Sequence, residues 1–453
     1  MGKQEKYKPK SISGYPEWLP EQRAMEVRWM DMIRETFESY GYCNIETPSV
    51  EELDALLAKG ATDKEIYTLT RLQAEEDDSS EARLALHFDL TVPFARYTAQ
   101  HFNDLIFPFK RYQMQRVWRG ERPQKGRFRE FYQCDIDVIN IDHLPLHFDA
   151  EMPLVMHEIY QKLDLPEKVQ IRMSNRKILI GYLQGLGIED VQMTDVTRVL
   201  DKLEKIGEDA VAKELVDELG LSPDVAEKSL GLAKIKDAGE GLADAVFALG
   251  VRNETLDEGV EELSFVLKAL SHLPKGDVID DLSIVRGLDY YTGTILEACF
   301  PHDPGFGSIG SGGRYDDLTG SFINKNMPGI GVSIGLSRLF SRMIDKGYLE
   351  FDGFAPTEIL VVQPSDDQYA CALETGQILR KRGFNVEVFH TATKLKKQLA
   401  YAEKKKIPYI WFPPFADGKP HEVKDMQARE QCEADPNTWS PENNEKSPMQ
   451  KKM

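Results

Sequence analysis

Apolar positions recur at helical spacing over residues 21–41, at Met25, Val27, Trp29, Ile33 and Phe37, and Gly41 supplies a stop. The pattern predicts an amphipathic helix followed by an extended piece to Pro48. Between Leu105 and Asn140 the period shortens to two, predicting strands over 107–118 and 128–139 around a Gly- and Pro-containing loop. Helical spacing returns from Gly185 to Leu273. Val196, Val199, Leu200, Leu203 and Ile206 form one stripe, with Thr194 or Asp195 as N-cap and Gly207 as stop, and 208–219, 226–232 and 258–273 continue in that style. Strand-like, Gly-rich sequence resumes at Val278 and runs through Gly335, before a helix over 336–346. Past a boundary near 351–356, strand (359–362), helix (369–382), strand (386–389), helix (395–404) and strand (409–412) alternate, as in a small parallel-sheet α/β domain. The polar, Pro-bearing stretch 435–453 predicts a disordered tail.

Composition narrows the class. At 453 residues the chain is too long for one ordinary core, so two or three domains are expected. It is 41% hydrophobic and 29% charged, which suits a soluble globular protein. No apolar run approaches the ~20 residues that span a bilayer. Residues 1–13 are polar and basic, so no secretory signal is read and a cytoplasmic location is expected. Cys43, Cys134, Cys299, Cys371 and Cys432 form no C-x-x-C pair, which argues against zinc or a disulfide framework. The net charge of −19 argues against indiscriminate nucleic-acid binding. Yet residues 110–129 hold eight cations (Lys110, Arg111, Arg116, Arg119, Arg122, Lys125, Arg127, Arg129) against one anion, Glu121. That concentration is hard to treat as a routine solvated face.

No Walker-type phosphate loop, Gly-x-Ser-x-Gly elbow or His-Glu-x-x-His pair occurs. Two other segments concentrate chemistry. In Arg286-Gly-Leu-Asp289-Tyr290-Tyr291-Thr-Gly-Thr294, a cation, a carboxylate and two phenols precede the alternating run Ile295, Leu296, Ala298 and Phe300. The run reads as a strand, and successive residues along such a strand, like Tyr290 and Tyr291, face opposite sides. A strand-end ion pair and a functional site both suit these residues. The second segment is Arg119-Gly-Glu121-Arg122-Pro-Gln124-Lys125-Gly-Arg127-Phe-Arg129-Glu-Phe131-Tyr-Gln133-Cys-Asp135-Ile-Asp137. A two-residue period puts Phe131, Gln133, Asp135 and Asp137 on one face, with Arg129 beginning the row. Carboxylates beside arginines suit a zwitterionic ligand, the acids taking an ammonium and the arginines an anion.

This second segment resembles motif 2 of the class II aminoacyl-tRNA synthetases, and its Arg-Pro-Gln-Lys-Gly-Arg loop resembles that of the histidyl-tRNA synthetase family. Leu86-His87-Phe88-Asp89-Leu90-Thr91-Val92-Pro93 is similar to the family's amino-acid-binding segment, and the stretch from Arg286 to Tyr291 to its histidine signature. Gly312-Gly313-Arg314-Tyr315-Asp316 is similar to its glycine-rich strand, residues 329–339 to motif 3, and residues 37–48 to motif 1, which builds the dimer interface in this class. The resemblance runs from about residue 15 to 430 with the motifs in order. It implies a class II antiparallel-sheet catalytic core with a helical insertion and a C-terminal α/β anticodon-binding domain. The corresponding boundaries are 1–185 and 275–352 for the core, 186–274 for the insertion, 353–434 for the anticodon domain and 435–453 for the tail.

The resemblance also implies a reaction: ATP-dependent ligation of L-histidine to tRNA(His) through histidyl-adenylate, by a homodimer. Arg119 and Arg286 would contact the α-phosphate, with Arg338 toward the outer phosphates and Mg2+ bridging phosphate oxygens. Glu121 would read the adenine amino group, Phe131 would stack on the base and Arg127 would hold phosphates. The substrate ammonium would meet Asp89, Thr91 and Gln133; the imidazole would meet Asp137 and Tyr291, with Tyr290 close behind. Gln124 and Arg129 would reach the tRNA acceptor end, and Lys396 and Lys397, amid Lys394, Lys404, Lys405 and Lys406, an anticodon surface. The chain departs from common family residues in four places: His87 replaces Arg, Asp89 replaces Glu, Ser337 replaces Glu, and residues 411–419 depart from the usual apolar strand and loop. A non-catalytic, synthetase-like histidine-binding regulatory subunit and an RNA-binding paralogue are the alternatives. The retained Arg119, Arg286 and Arg338 argue against both.

Overall fold

The computed structural model describes residues 7–58, 66–72, 83–285, 291–316, 318–351, 356–416 and 418–441. It divides into two compact units, Met1–Glu17 with Arg28–Tyr348, and Trp18–Val27 with Leu349–Met453. None of the described helices is long and apolar enough to cross a membrane.

In the larger unit the strands are, in chain order, β1 (Cys43–Asn44), β2 (Val50–Glu52), β3 (Thr68–Leu69), β4 (Leu84–Leu86), β5 (Phe109–Trp118), β6 (Glu130–Ile139), β7 (Gln170–Asn175), β8 (Val278–Asp280), β9 (Thr294–Cys299), β10 (Gly310–Tyr315) and β11 (Gly329–Ile334). Eight of them form one sheet in the order β1-β5-β6-β11-β10-β9-β7-β8, parallel only at its two ends. A small sheet, β2-β4-β3, stands apart. The hairpin β5–β6 matches the two predicted strands, each shortened by two residues at its start. The helix Pro20–Ser39 likewise matches its predicted stripe, with Ile33 and Phe37 fully buried.

Cross-strand register builds two polar rows into this sheet. One runs Arg111, Asp137, Gly331, Gly313 across β5, β6, β11 and β10. The other runs Gln113, Asp135, Ser333, Ser311, Glu297, Arg172 from β5 to β7. Directly opposed residues share a face, so each row is continuous in space. The intervening residues Cys134, Ile136 and Val138 are buried on the other face. At the far end of β6, Ile139 and Tyr315 pack with Phe94, Leu318 and Met327.

Helices fill residues 176–269, but several boundaries differ from the pattern. The stripe through Val196 begins at Asp190, because Glu189 already holds the extended N-cap conformation. Ser222 caps Pro223–Ala233 by accepting from the Val225 amide, and Asn253 caps Glu254–Ala269 by accepting from Leu256. Periodicity alone did not show the helix His147–Lys162, which carries Pro153 inside it, or the two- and three-residue strands β2–β4.

The smaller unit holds β12 (Ile359–Val361), β13 (Val386–Val388), β14 (Tyr409–Phe412), β15 (Glu422–Asp425) and β16 (Gln431–Glu433) in the order β13-β12-β14-β15-β16. Only the first three are parallel; β15 and β16 extend the sheet antiparallel, so a purely parallel sheet is not what forms. Trp439, in the stretch read as a tail, packs its ring 5.1 Å from Tyr409 and 5.4 Å from Trp411. Partial burial of this large aromatic holds residues 435–441 against the domain.

Beneath the sheet, Arg172 joins Glu297 at 2.6 Å and Asp281 at 3.3 Å and also pairs with Glu204, all but Glu204 buried. Removing the cation would leave two buried carboxylates facing each other with less compensation. Arg172→Met is therefore expected to lower unfolding stability by about 3–5 kcal/mol, read as a fall in the denaturant midpoint.

Candidate active site

The charged hairpin loop is tightly built. Gln124 and Arg127 exchange backbone hydrogen bonds of 3.2 and 2.9 Å, and Gly126 between them sits at φ +69°. A Cβ on Gly126 would also lie 2.8 Å from the Phe306 ring, so this turn needs glycine twice over. The Arg129 amide donates to the Gly14 carbonyl at 2.7 Å, and its Nε to the Glu121 carbonyl at 3.2 Å. Gln124 is exposed beside this anchored arginine.

A cavity of about 250 Å³ opens next to the loop. Arg119, Glu121, Arg127, Phe131, Gln133 and Arg338 all line it. Arg119 donates to the Phe88 carbonyl at 3.0 Å and lays its guanidinium 5.2 Å from the Phe131 ring centre. Arg338 donates to the Phe306 carbonyl and stacks 4.9 Å from that ring. Arg127 faces Glu121 at 3.8 Å with half its side chain in solvent. The cavity thus offers three cations, one carboxylate and the aromatic rings of Phe128 and Phe131, a set that fits a phosphorylated heteroaromatic ligand.

Deeper along β6 the groups become buried. The Gln133 amide donates to Ser333 Oγ at 2.7 Å, and its Oε1 has no partner among the described residues. Asp135 is buried, accepts from Ser333, and leaves Oδ1 without a partner among the described residues. Asp137 is held on both oxygens, by Arg111 at 2.6 Å and by the Tyr315 hydroxyl at 2.9 Å. Burial pushes the Asp135 carboxyl up to about 7 and the Asp137 carboxyl up to about 6, with Arg111 opposing in both cases. Burial also raises the Tyr291 phenol, and the nearby Asp137, Asp135 and Asp89 charges raise it further. Asp89 is raised by burial and opposed by the Val92 amide, which donates to its Oδ1 at 3.2 Å. Asp89 thereby serves the start of the helix Thr91–Gln100 while still facing Arg119 and Arg111.

The structure therefore brings Glu121, Arg127, Arg338, Arg119, Phe131 and Gln133 around one cavity. It sets Asp89, Asp135, Asp137 and Tyr291 within electrostatic reach of one another. Arg286 and Tyr290 lie outside the described residues. Lys394, Lys396, Lys397 and Lys404 are exposed on or beside the helix Leu395–Lys405, whereas Lys405 is tied to Glu387 at 2.9 Å. Two departures acquire structural partners. Ser337 accepts from the Tyr132 amide at 2.9 Å, and His87 is buried with Nε2 2.7 Å from the Arg116 carbonyl. Burial lowers the His87 pKa, so the ring is neutral there. Sequence reasoning missed the roles of Arg111 and Tyr315. The two-residue phase gives Arg111 a face of β5, but no local signal pairs it with Asp137, which the register between the strands decides.

The histidyl-tRNA synthetase family profile matches residues 14–339 of the chain. The chain belongs to the histidyl-tRNA synthetase family. An anticodon-binding domain profile matches residues 358–432. Histidine–tRNA ligase of Thermobifida fusca (strain YX) is 58% identical over 440 residues, covering 97% of this chain and all of the relative. The crystal structure of histidyl-tRNA synthetase from Nostoc sp. PCC 7120 superposes with a TM-score of 0.84 at 39% identity, covering 95% of this chain and 97% of that one. A protein from Bacillus halodurans C, described as an ATP phosphoribosyltransferase regulatory subunit/histidyl-tRNA synthetase, shares the fold at 20% identity, with a TM-score of 0.74 over 90% of this chain and 99% of its own.

The raised carboxyls of this family member carry a sign that can be tested. Asp135 holds its proton up to about pH 7 when folded, against 3.8 for an ordinary aspartate carboxyl. Between those limits the native state binds more protons than the unfolded state, so this group's contribution to stability falls as pH rises. Asp135→Asn removes the charge but keeps an acceptor for Ser333. It is expected to raise the ligand-free melting temperature by about 2 °C or more at pH 8, with the gain shrinking toward pH 5. A calorimetric pH series reads this directly.

Proposed function

We propose that the chain activates L-histidine with ATP and transfers it from histidyl-adenylate to tRNA(His), releasing diphosphate and AMP. The observation that carries this reading is the single cavity bounded by Arg119, Glu121, Arg127, Phe131 and Arg338 and continuing into Gln133. Relatives at high identity carry the name histidine–tRNA ligase, and the regulatory-subunit reading is not favoured.

The attacking group is already a carboxylate, so adenylation needs no general base. What remains is orientation and stabilisation of charge on the transferring phosphoryl group. Arg119, fixed by the Phe88 carbonyl and the Phe131 ring, is assigned to the α-phosphate together with Arg286, and Arg338 and Arg127 to the outer phosphates. Phe131 is assigned to stacking on adenine and Glu121 to its amino group. Magnesium belongs with the nucleotide substrate, where it would neutralise phosphate charge.

Asp89, Thr91 and Gln133 are assigned to the substrate ammonium, and Asp137, Tyr291 and Tyr290 to the imidazole end. Such a pocket rejects apolar amino acids because its buried polar groups would then stay unpaired. Gln124 and Arg129 on the anchored hairpin are assigned to the tRNA acceptor end, and Lys396 and Lys397 to the anticodon side. A homodimer formed around the exposed sheet edge at β1, in a cytoplasmic setting, belongs to the same reading.

ATP–pyrophosphate exchange tests the first step: histidine alone among the amino acids should stimulate it, and stimulation by another or by none would refute the assignment. Arg119→Ala should lower exchange about 10²–10³-fold. By contrast, the double change Lys396→Ala, Lys397→Ala should leave exchange intact and weaken tRNA charging, with a shallower salt dependence.

A further inference from the structure

Along β6, Gln133 and Asp135 each present a buried oxygen that has no hydrogen-bond partner among the described residues. Their neighbours are already committed. Gln113, opposite Asp135, spends its amide on Thr47 at 3.0 Å and Gln115 at 2.7 Å. Ser333, on the other side, reaches Gln133 at 2.7 Å and the remaining oxygen of Asp135. Asp137, two residues further on, has Arg111 on one oxygen and Tyr315 on the other. A carboxylate this buried (Asp135 is 3% exposed) with an unused acceptor is costly unless something donates to it.

The strand sets the distance between these two oxygens. Side chains two residues apart on one face are separated by about 6.6 Å of strand rise. That is comparable with the reach from an α-ammonium to the far edge of a five-membered ring on the next carbon. With the ammonium at Gln133, the ring N–H arrives at Asp135, and Tyr291 lies close enough to Asp135 and Asp137 for their charges to raise its phenol.

Resting on the proposed histidine site, we infer that Asp135 accepts the imidazole N–H of histidine through Oδ1 and is a specificity-determining residue of this chain. The motif resemblance assigns that position no contact. Asp137 has both oxygens engaged, whereas Asp135, two residues earlier on the same face of β6, keeps an acceptor open among the described residues.

The test compares two ligands on the full-length protein by calorimetric titration: histidine, and β-(2-thienyl)alanine, which keeps the ammonium and a five-membered ring but has no ring N–H. Asp135→Ala should weaken histidine by about 10–100-fold and leave the thienyl analogue nearly unchanged. Asp135→Asn, nearly isosteric, should show the same selective loss at smaller size, and supplies the comparison if the alanine variant does not fold. Equal weakening of both ligands, or of neither, would overturn the inference. If the unaltered protein does not bind histidine at all, the proposed function itself fails. Histidine binding without the selective loss removes only the role of Asp135.

Discussion

Arg111 and Asp137 meet at 2.6 Å between two strands of ten residues each, with the arginine excluded from solvent. A lone guanidinium or carboxylate at that depth would carry a desolvation cost of several kcal/mol. Paired, they allow the same face of β6 to carry Gln133 and Asp135 as well. Arg111 is also the charge that opposes the upward push of burial on Asp135, Asp137 and, more weakly, Asp89. Its guanidinium lies over Phe94, 4.4 Å from the ring centre, so the cation is anchored by packing as well as by charge. The carboxylates can then stay poised for a ligand that brings its own positive charge.

Around that pair, elements far apart in sequence are tied to β6 by short polar contacts. Ser337 reaches the Tyr132 amide, Ser333 reaches Gln133, and Tyr315 reaches Asp137. Arg314, adjacent to Tyr315, pairs with the buried Asp149 on the helix His147–Lys162, and its carbonyl accepts from the Thr292 amide at 2.9 Å. The strand after the signature segment is thus fixed to the glycine-rich strand before any ligand arrives. Pre-organisation of this kind keeps the ordering cost out of the binding step.

Much of this was legible in the sequence. The β5–β6 hairpin, the cationic loop and the shared face of Phe131, Gln133, Asp135 and Asp137 follow from a period of two residues. The C-terminal alternation follows from a change of period. Other features have no local signal. The partnership of Arg111 with Asp137 depends on register between two strands, and β15 and β16 pair antiparallel although the preceding strands are parallel. Trp439 looks like part of a polar tail until its ring is seen against Tyr409 and Trp411. His87 looks like a lost charge until its burial against Trp118, with rings 5.5 Å apart, shows a neutral packing residue.

Gly331 and Gly313 stand beside Asp137 in its row, where a side chain would collide. A Cβ on Gly331 would fall 2.0 Å from Asp137 Oδ1, and one on Gly313 would fall 2.8 Å from the Tyr291 ring. Bare peptide groups therefore bound this part of the pocket, and peptide groups have no rotamers with which to swing aside. Extra ligand volume here could be accommodated only by separating strands, at the expense of the ladder hydrogen bonds that hold the sheet together. Selection by size is in this way tied to the integrity of the fold itself, and does not loosen independently of it.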